Sequence, residues 1–311
     1  VVGAGLAWLS VYRNWTGPGP ATHATPVVVP PGSTLAAAAR ELEKTGAVRS
    51  TTGFLRFARR FGTSEPIRAG EYEVPAGMSA KEILKLLQSG HTIQRMVTIP
   101  EGMPSIEVFE RIAGEKLLTG KLPIPPEGSV LPGTYSFQRG EPRKAVLQRM
   151  QDAMTQTLNH LWMTRKANSV VGSKQDALTL AAIVEKETGV PEERPMVAGV
   201  YSNRLRTGMR LQADPTIIYP MTHGKPLGRR IKLSEVRAVN DYNTYAMAGL
   251  PKGPITNPGR DAIAAVLAPA QTDALYFVAD GKGGHVFASN LKDHNANVQR
   301  YYNLRKAQGK R

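Results

Sequence analysis

The chain has no cysteine among its 311 residues, which removes disulfides, thiol nucleophiles and thiolate metal sites from consideration. Acidic residues are scarce as well: 25 stand against 40 lysines and arginines, giving a net charge of +15 and a pI of about 10.0. A surplus of that size points to an anionic partner, whether nucleic acid, lipid headgroups or an acidic cell-wall polymer. No recognisable nucleic-acid-binding motif accompanies the charge, so nucleic acid is not expected as a partner. Long apolar runs are missing too. The apolar run at residues 1–12 is too short to cross a bilayer, which takes about 20 residues. Trp8 and Tyr12 near its end nevertheless have the character of an interfacial aromatic belt. Read as the outer end of a membrane anchor, it gives an anchor over 1–13 and a Pro-, Gly- and Thr-rich linker over 14–26.

Hydrophobic residues make up 41% of the chain, enough for real cores, and the length suits about two domains. After the linker, one pattern occurs three times: an apolar residue, Pro, any residue, Gly, then an amphipathic helical stretch. The copies begin at Val29-Pro30, Val74-Pro75 and Ile99-Pro100. Each reads as a strand end, a tight turn and a helix start. Strands are expected at 69–74 and 92–99, and a further helix at 53–61 with Phe54, Phe57, Ala58 and Phe61 on one face. Residues 27–120 therefore form small α+β units suited to gripping a polymer or a partner, with nothing catalytic in them. Residues 121–133 carry four prolines, Pro123, Pro125, Pro126 and Pro132, and mark a boundary before a mixed α+β domain over 121–311.

That second domain centres on residues 176–188, a helical stretch whose apolar residues run to the last turn and there meet two carboxylates. Leu178, Ala181, Ala182 and Glu185 fall on one side, and Leu180, Ile183, Val184 and Glu187 on another. A carboxyl set among small apolar residues is desolvated, which raises its pKa toward what a general acid near neutral pH needs. Periodicity does not choose between Glu185 and Glu187. Long helices are expected over 142–167 and from Pro191 to about Leu205. Residues 210–219 read as a polar extended stretch before a short β-like run, 275–279 and 285–288 as a hairpin, and 305–311 as a solvated tail. Loops at 240–245 and 249–259 are dense in amides and tyrosines, the equipment of sugar recognition. His285 and His294 form no ligand cluster, so neither a metal nor a cofactor is expected. The glycines at 281, 283 and 284 lack the strand-to-helix context of a phosphate loop.

Ile183-Val184-Glu185-Lys186-Glu187-Thr188, Asn203-Arg204-Leu205, Met209 through Thr216, Tyr242-Asn243-Thr244-Tyr245, Gly249-Leu250-Pro251 and Tyr276 through His285 stand in that order. Together they resemble the MltG (YceG-like) endolytic murein transglycosylases from about Pro30 to the end. The resemblance implies LysM-like units followed by a catalytic domain. It also implies a single-pass inner-membrane anchor with the catalytic part in the periplasm, and a lytic cut of the β-1,4 bond between N-acetylmuramic acid and N-acetylglucosamine in nascent glycan strands, leaving a 1,6-anhydro end. It assigns the acid to Glu185, leaves Glu187 to a structural ion pair, and puts Gln212, Asp214, Thr216, Asn243, Tyr245 and Asn257 around the sugar. Peptidoglycan synthases are implied partners. Two rival readings are a two-carboxylate muramidase, which hydrolyses, and a non-catalytic wall-binding scaffold.

Overall fold

The structure, a computed structural model, describes residues 12–308. It forms two compact units: one holds the chain to Met96 with Leu117–Thr119 and Ser136–Glu141, and the other holds Val97–Lys116, Gly120–Tyr135 and Pro142 onward. Both are α+β. Most of the membrane anchor expected over 1–13 lies outside the described residues, among which no helix is long and apolar enough to cross a membrane.

The first unit begins inside the segment expected to be a linker. Residues 12–16 are helical, and Trp15 is buried against Phe54 and Phe57, with ring centroids 6.3 and 6.4 Å away. Burying an indole of that size gives this stretch a fixed seat that composition alone does not suggest. Strand β1 (Thr25–Val29) pairs antiparallel with β2 (Gly70–Val74), Val27 opposite Tyr72, and helices α1 (Leu35–Lys44) and α2 (Thr51–Phe61) lie between them in sequence. Val27, Val29, Leu42, Phe54 and Tyr72 meet in one core, which α3 (Ala80–Ser89) joins through Ile83 and Leu87. The thrice-repeated turn now has its physical reason. Gly32, Gly77 and Gly102 all take left-handed backbone angles (φ 76°, 68° and 70°), where a side chain is strained. Thr34 and Ser79 then cap the helices that follow, Ser79 in a reciprocal capping box with Glu82. Strand β3 (Arg95–Ile99) pairs with β4 (Gly133–Phe137), and the third turn with α4 (Ser105–Ala113) after it belongs to the second unit.

The second unit is built around α6 (Lys174–Glu187), which follows the long α5 (Arg143–Met163) and is capped by Ser173. Every residue of α6 from Ala177 to Val184 is buried, so it has apolar residues on all sides, as a helix enclosed by others must. Its neighbours are α5, α7 (Arg194–Arg206), α8 (Asp214–Thr222) and α10 (Arg260–Leu267). A single turn of helix, α9 (Leu233–Val236), sits in the loop before Asn243. The hairpin β5 (Tyr276–Ala279) and β6 (His285–Ala288) closes on Asp280, whose carboxylate accepts from the backbone N–H groups of Lys282 and Gly284 at 2.7 and 3.0 Å. Two expectations are corrected. Residues 214–222 are helical rather than β-like, because Asp214 and Pro215 occupy the first turn, where an acid suits the dipole and proline needs no N–H. Arg305 and Lys306 of the expected tail belong to a helix, α11 (Leu291–Ala307), capped by Asn290, while Lys310 and Arg311 lie outside the described residues.

Candidate active site

The last turn of α6 carries three successive long side chains, Glu185, Lys186 and Glu187, which leave the helix about 100° apart. Each therefore meets a different environment. Glu185 is 5% exposed and fully engaged: its Oε1 accepts from Arg194 Nη2 at 3.1 Å and its Oε2 from the backbone N–H of Gly259 at 2.8 Å. Burial raises its pKa, while Gly259 and Arg194 pull against that rise. Arg194, at the start of α7, also donates to Glu101 at 2.8 Å and lies 3.9 Å from Asp261. The ion pair expected of Glu187 is not found among the described residues; Glu185 is the acid of this helix end that makes one.

Glu187 faces a cavity of about 290 Å³ with Tyr201, Arg204, Gln212, Asp214 and Tyr245 on its walls. Burial pushes its carboxyl up to about 7; the Tyr201 hydroxyl and Arg204 oppose that rise, and the negative charge of Asp214 adds to it. Its Oε1 has no hydrogen-bond partner. A buried carboxyl oxygen left open is costly unless a ligand completes it, which makes it a functional candidate. Tyr201 is itself buried, set edge-on to Phe277 with centroids 5.8 Å apart.

The rest of the cavity wall is held by buried threonines. The Oγ1 atoms of Thr216 and Thr244 lie 2.9 Å apart, Thr244 Oγ1 accepts from the N–H of Ala213 at 3.0 Å, and the N–H of Gln212 donates to Thr244 O at 3.2 Å. Between the buried Leu211 and Ala213, Gln212 is forced into a left-handed conformation (φ 53°) that projects its side chain outward. Such strain in a non-glycine residue marks a position where the fold constrains the backbone strongly. Tyr245 donates its hydroxyl to Asp214 Oδ1 at 2.7 Å. Arg204, 7% exposed, ties this loop to the hairpin, donating to Leu211 O and Leu275 O at 2.7 Å each.

Of the residues the motifs singled out, Gln212, Asp214 and Tyr245 converge, and they do so beside Glu187 rather than Glu185. Thr216, Asn243 and Asn257 are fully buried and spent on the scaffold. Asn243 donates to the carbonyls of Val236 and Ala238 at 3.0 and 2.6 Å and accepts from the N–H of Tyr245. Asn257 accepts from Val130 N and donates to Met103 O, at 3.0 and 2.9 Å. It also neighbours Glu127, whose buried carboxyl has a raised pKa and takes the N–H of Ser105 at 2.8 Å. Sequence reasoning gave no role to Arg194, Arg204, Tyr201 or Glu127. The motif containing Asn203-Arg204-Leu205 was the one available signal, and it carried no geometry. Among the described residues no three His, Asp or Glu side chains converge as a metal site requires.

A YceG-like family model matches residues 27–300. The chain is 31% identical over 326 residues to the endolytic murein transglycosylase of Streptococcus pneumoniae serotype 2 (strain D39), covering 89% of this chain and 58% of that protein. It is 30% identical over 308 residues to the endolytic murein transglycosylase of Bacillus subtilis (strain 168), covering 88% and 83%. It thus spans less than two thirds of the length of the pneumococcal relative. Among solved structures, the crystal structure of a yceG-like protein of Listeria monocytogenes superposes with a TM-score of 0.55 at 26% identity, covering 88% of this chain and 98% of that one.

Proposed function

The chain belongs to the YceG-like family, and from that premise we propose that it is an endolytic murein transglycosylase, a lyase, with Glu187 rather than Glu185 as its single acid and base. One observation carries the choice: Glu187 is the carboxyl that shares a cavity with Gln212, Asp214 and Tyr245, with one oxygen unpaired and a pKa pushed up to about 7. Protonated, Glu187 gives its proton to the glycosidic oxygen as the bond from that oxygen to muramyl C1 breaks. The C6 hydroxyl oxygen of the same muramyl residue then closes on C1, and its proton passes to the Glu187 carboxylate. The acid is regenerated, a 1,6-anhydro end forms, and no water enters. Burial keeps Glu187 protonated before the cut, with the negative charge of Asp214 adding to it, and that charge stabilises positive charge at C1 during the cut. Gln212 and Tyr245 orient the sugar.

Two observations favour other readings. Glu185 is nearly inaccessible with a raised pKa, so it is a second candidate acid. Asp214 beside Glu187 also makes a carboxylate pair, as a muramidase that hydrolyses would use. Digesting uncrosslinked glycan with the parent, Glu185→Gln and Glu187→Gln proteins, and weighing the products, separates all three. The proposal expects fragments lighter by one water than hydrolysis products, lost with Glu187→Gln. Fragments with reducing ends support the hydrolase, and inertness of all three proteins supports a wall-binding scaffold. The strand–helix–helix–strand order of β1, α1, α2 and β2 supports a LysM-like role for the first unit in holding glycan. The apolar residues 1–12 and the +15 charge support a single-pass inner-membrane protein whose catalytic part lies in the periplasm, near the synthases that supply its substrate.

A further inference from the structure

A second cavity, of about 350 Å³, opens beside Lys186 and Pro215, the sequence neighbours of the catalytic-cavity residues Glu187 and Asp214. Because adjacent helical residues point about 100° apart, Lys186 and Glu187 at the end of α6 line different cavities, as do Pro215 and Asp214 at the start of α8. A branched polymer bound at one cavity can reach the other. The second cavity differs in character from the first. Ile218, Ile255 and the ring of Tyr219 supply apolar walls, and three charged side chains stand on it: Lys186, Glu107 and Lys225, the last paired with Glu110 at 2.6 Å. Lys186 reaches the carbonyl of Gly102 at 3.4 Å, and among the described residues neither Lys186 nor Glu107 has a recorded ion pair. Tyr219 is rigidly placed, packed against Tyr242 at 4.9 Å between centroids and hydrogen-bonded to Glu127.

We propose that this cavity is the subsite for the stem peptide carried by the muramyl residue. This rests on the transglycosylase reading above and adds which part of the substrate is gripped outside the catalytic cavity. A stem peptide joins alkyl side chains to free carboxylates and to the ammonium of a diamino acid. Lys186 meets a carboxylate, Glu107 meets the ammonium, and Ile218, Ile255 and Tyr219 cover the alkyl groups. Bare glycan offers no alkyl side chain and no ammonium, and its one carboxylate is the lactyl group of the muramyl residue itself.

The test is equilibrium binding of two soluble ligands to the parent protein: a disaccharide bearing a stem peptide, and the same disaccharide without it, its lactyl carboxyl capped as a methylamide so that no new charge is exposed. Both contain a single repeat, so the measurement does not depend on cleavage. The peptide-bearing ligand is expected to bind more tightly. Lys186→Ala weakens it by about two- to fivefold, the scale of an exposed ion pair, and Lys186→Glu by about tenfold, while the peptide-free ligand binds each variant as it binds the parent. Lys186 is exposed on the surface, so both variants are expected to fold. Equal affinity of the parent for the two ligands, or a peptide preference untouched by Lys186→Glu, overturns the assignment. Full activity in Glu187→Gln would overturn the catalytic reading and leave this binding result to be judged separately.

Discussion

Replacing Glu187 with glutamine keeps the shape of the side chain and removes its proton. Two consequences of different kind follow from its surroundings. For catalysis, a positioned acid–base group is worth about 10²- to 10⁴-fold, and in the proposed mechanism the same carboxyl both gives and takes the proton. The expected fall in kcat therefore lies toward the upper end, with KM little changed. For stability, a carboxyl raised from 4.5 to about 7 in the folded state carries roughly 3 kcal/mol at most. The sign follows from the direction of the shift. Folding favours the protonated form, so this contribution is complete below pH 4.5 and disappears as pH rises through about 7. Glutamine stays neutral throughout. The parent should lose stability relative to Glu187→Gln between pH 5 and pH 8, measured by urea unfolding at several pH values. The kcat/KM of the parent, read from release of anhydro ends, should decline above about pH 7. A Glu187→Gln protein that keeps a tenth or more of the parental kcat refutes the reasoning. So does one whose urea curves track those of the parent at every pH.

Tyr245→Phe removes the donor to Asp214 and should lower kcat about tenfold, with a stability change below about 1 kcal/mol; an unchanged kcat removes Tyr245 from the site. Arg194→Ala leaves Glu185 buried without its guanidinium and should cost about 3 kcal/mol in urea unfolding. The Arg194→Ala, Glu185→Gln double variant should recover part of that loss, and strict additivity of the two changes would contradict a direct pair. Asn257→Ala strands the buried N–H of Val130, while the carbonyl of Met103 keeps the backbone N–H of residue 257, so a loss of roughly 2 kcal/mol is expected with KM for glycan unchanged. A raised KM in a protein of parental stability would return Asn257 to the ligand.

Much of the fold was legible because local rules and global packing agree. The three Pro-x-Gly turns declare themselves since only glycine sits easily at positive φ there. The hairpin declares itself by apolar runs on both sides of Asp280-Gly281. Misreadings fall where tertiary contacts override a local pattern. Ile217-Ile218-Tyr219 has strand-like composition, yet Thr216 Oγ1 bonds back to Ala213 O at 2.7 Å and the segment winds into α8. α11 has no fully buried residue, so it shows no strong apolar stripe to reveal it. Trp15 lies amid linker-like residues, and only Phe54 and Phe57, distant in sequence, give it a core to enter.

By itself the sequence determined the family, the α+β class, the central helix and the presence of two carboxylates at its end. Periodicity could not rank them, and the family resemblance put the acid at Glu185. α6 is enclosed on all sides, so both apolar stripes are real and each leads to an acid. Tertiary structure gives the two different surroundings: Arg194 and Gly259 satisfy Glu185, while Glu187 meets Gln212, Asp214 and Tyr245 around a cavity, which is what the proposal of Glu187 rests on. Two acids two residues apart share nearly the same sequence context. Their chemistry diverges because a helix aims them at different neighbours, and those neighbours come from elsewhere in the chain.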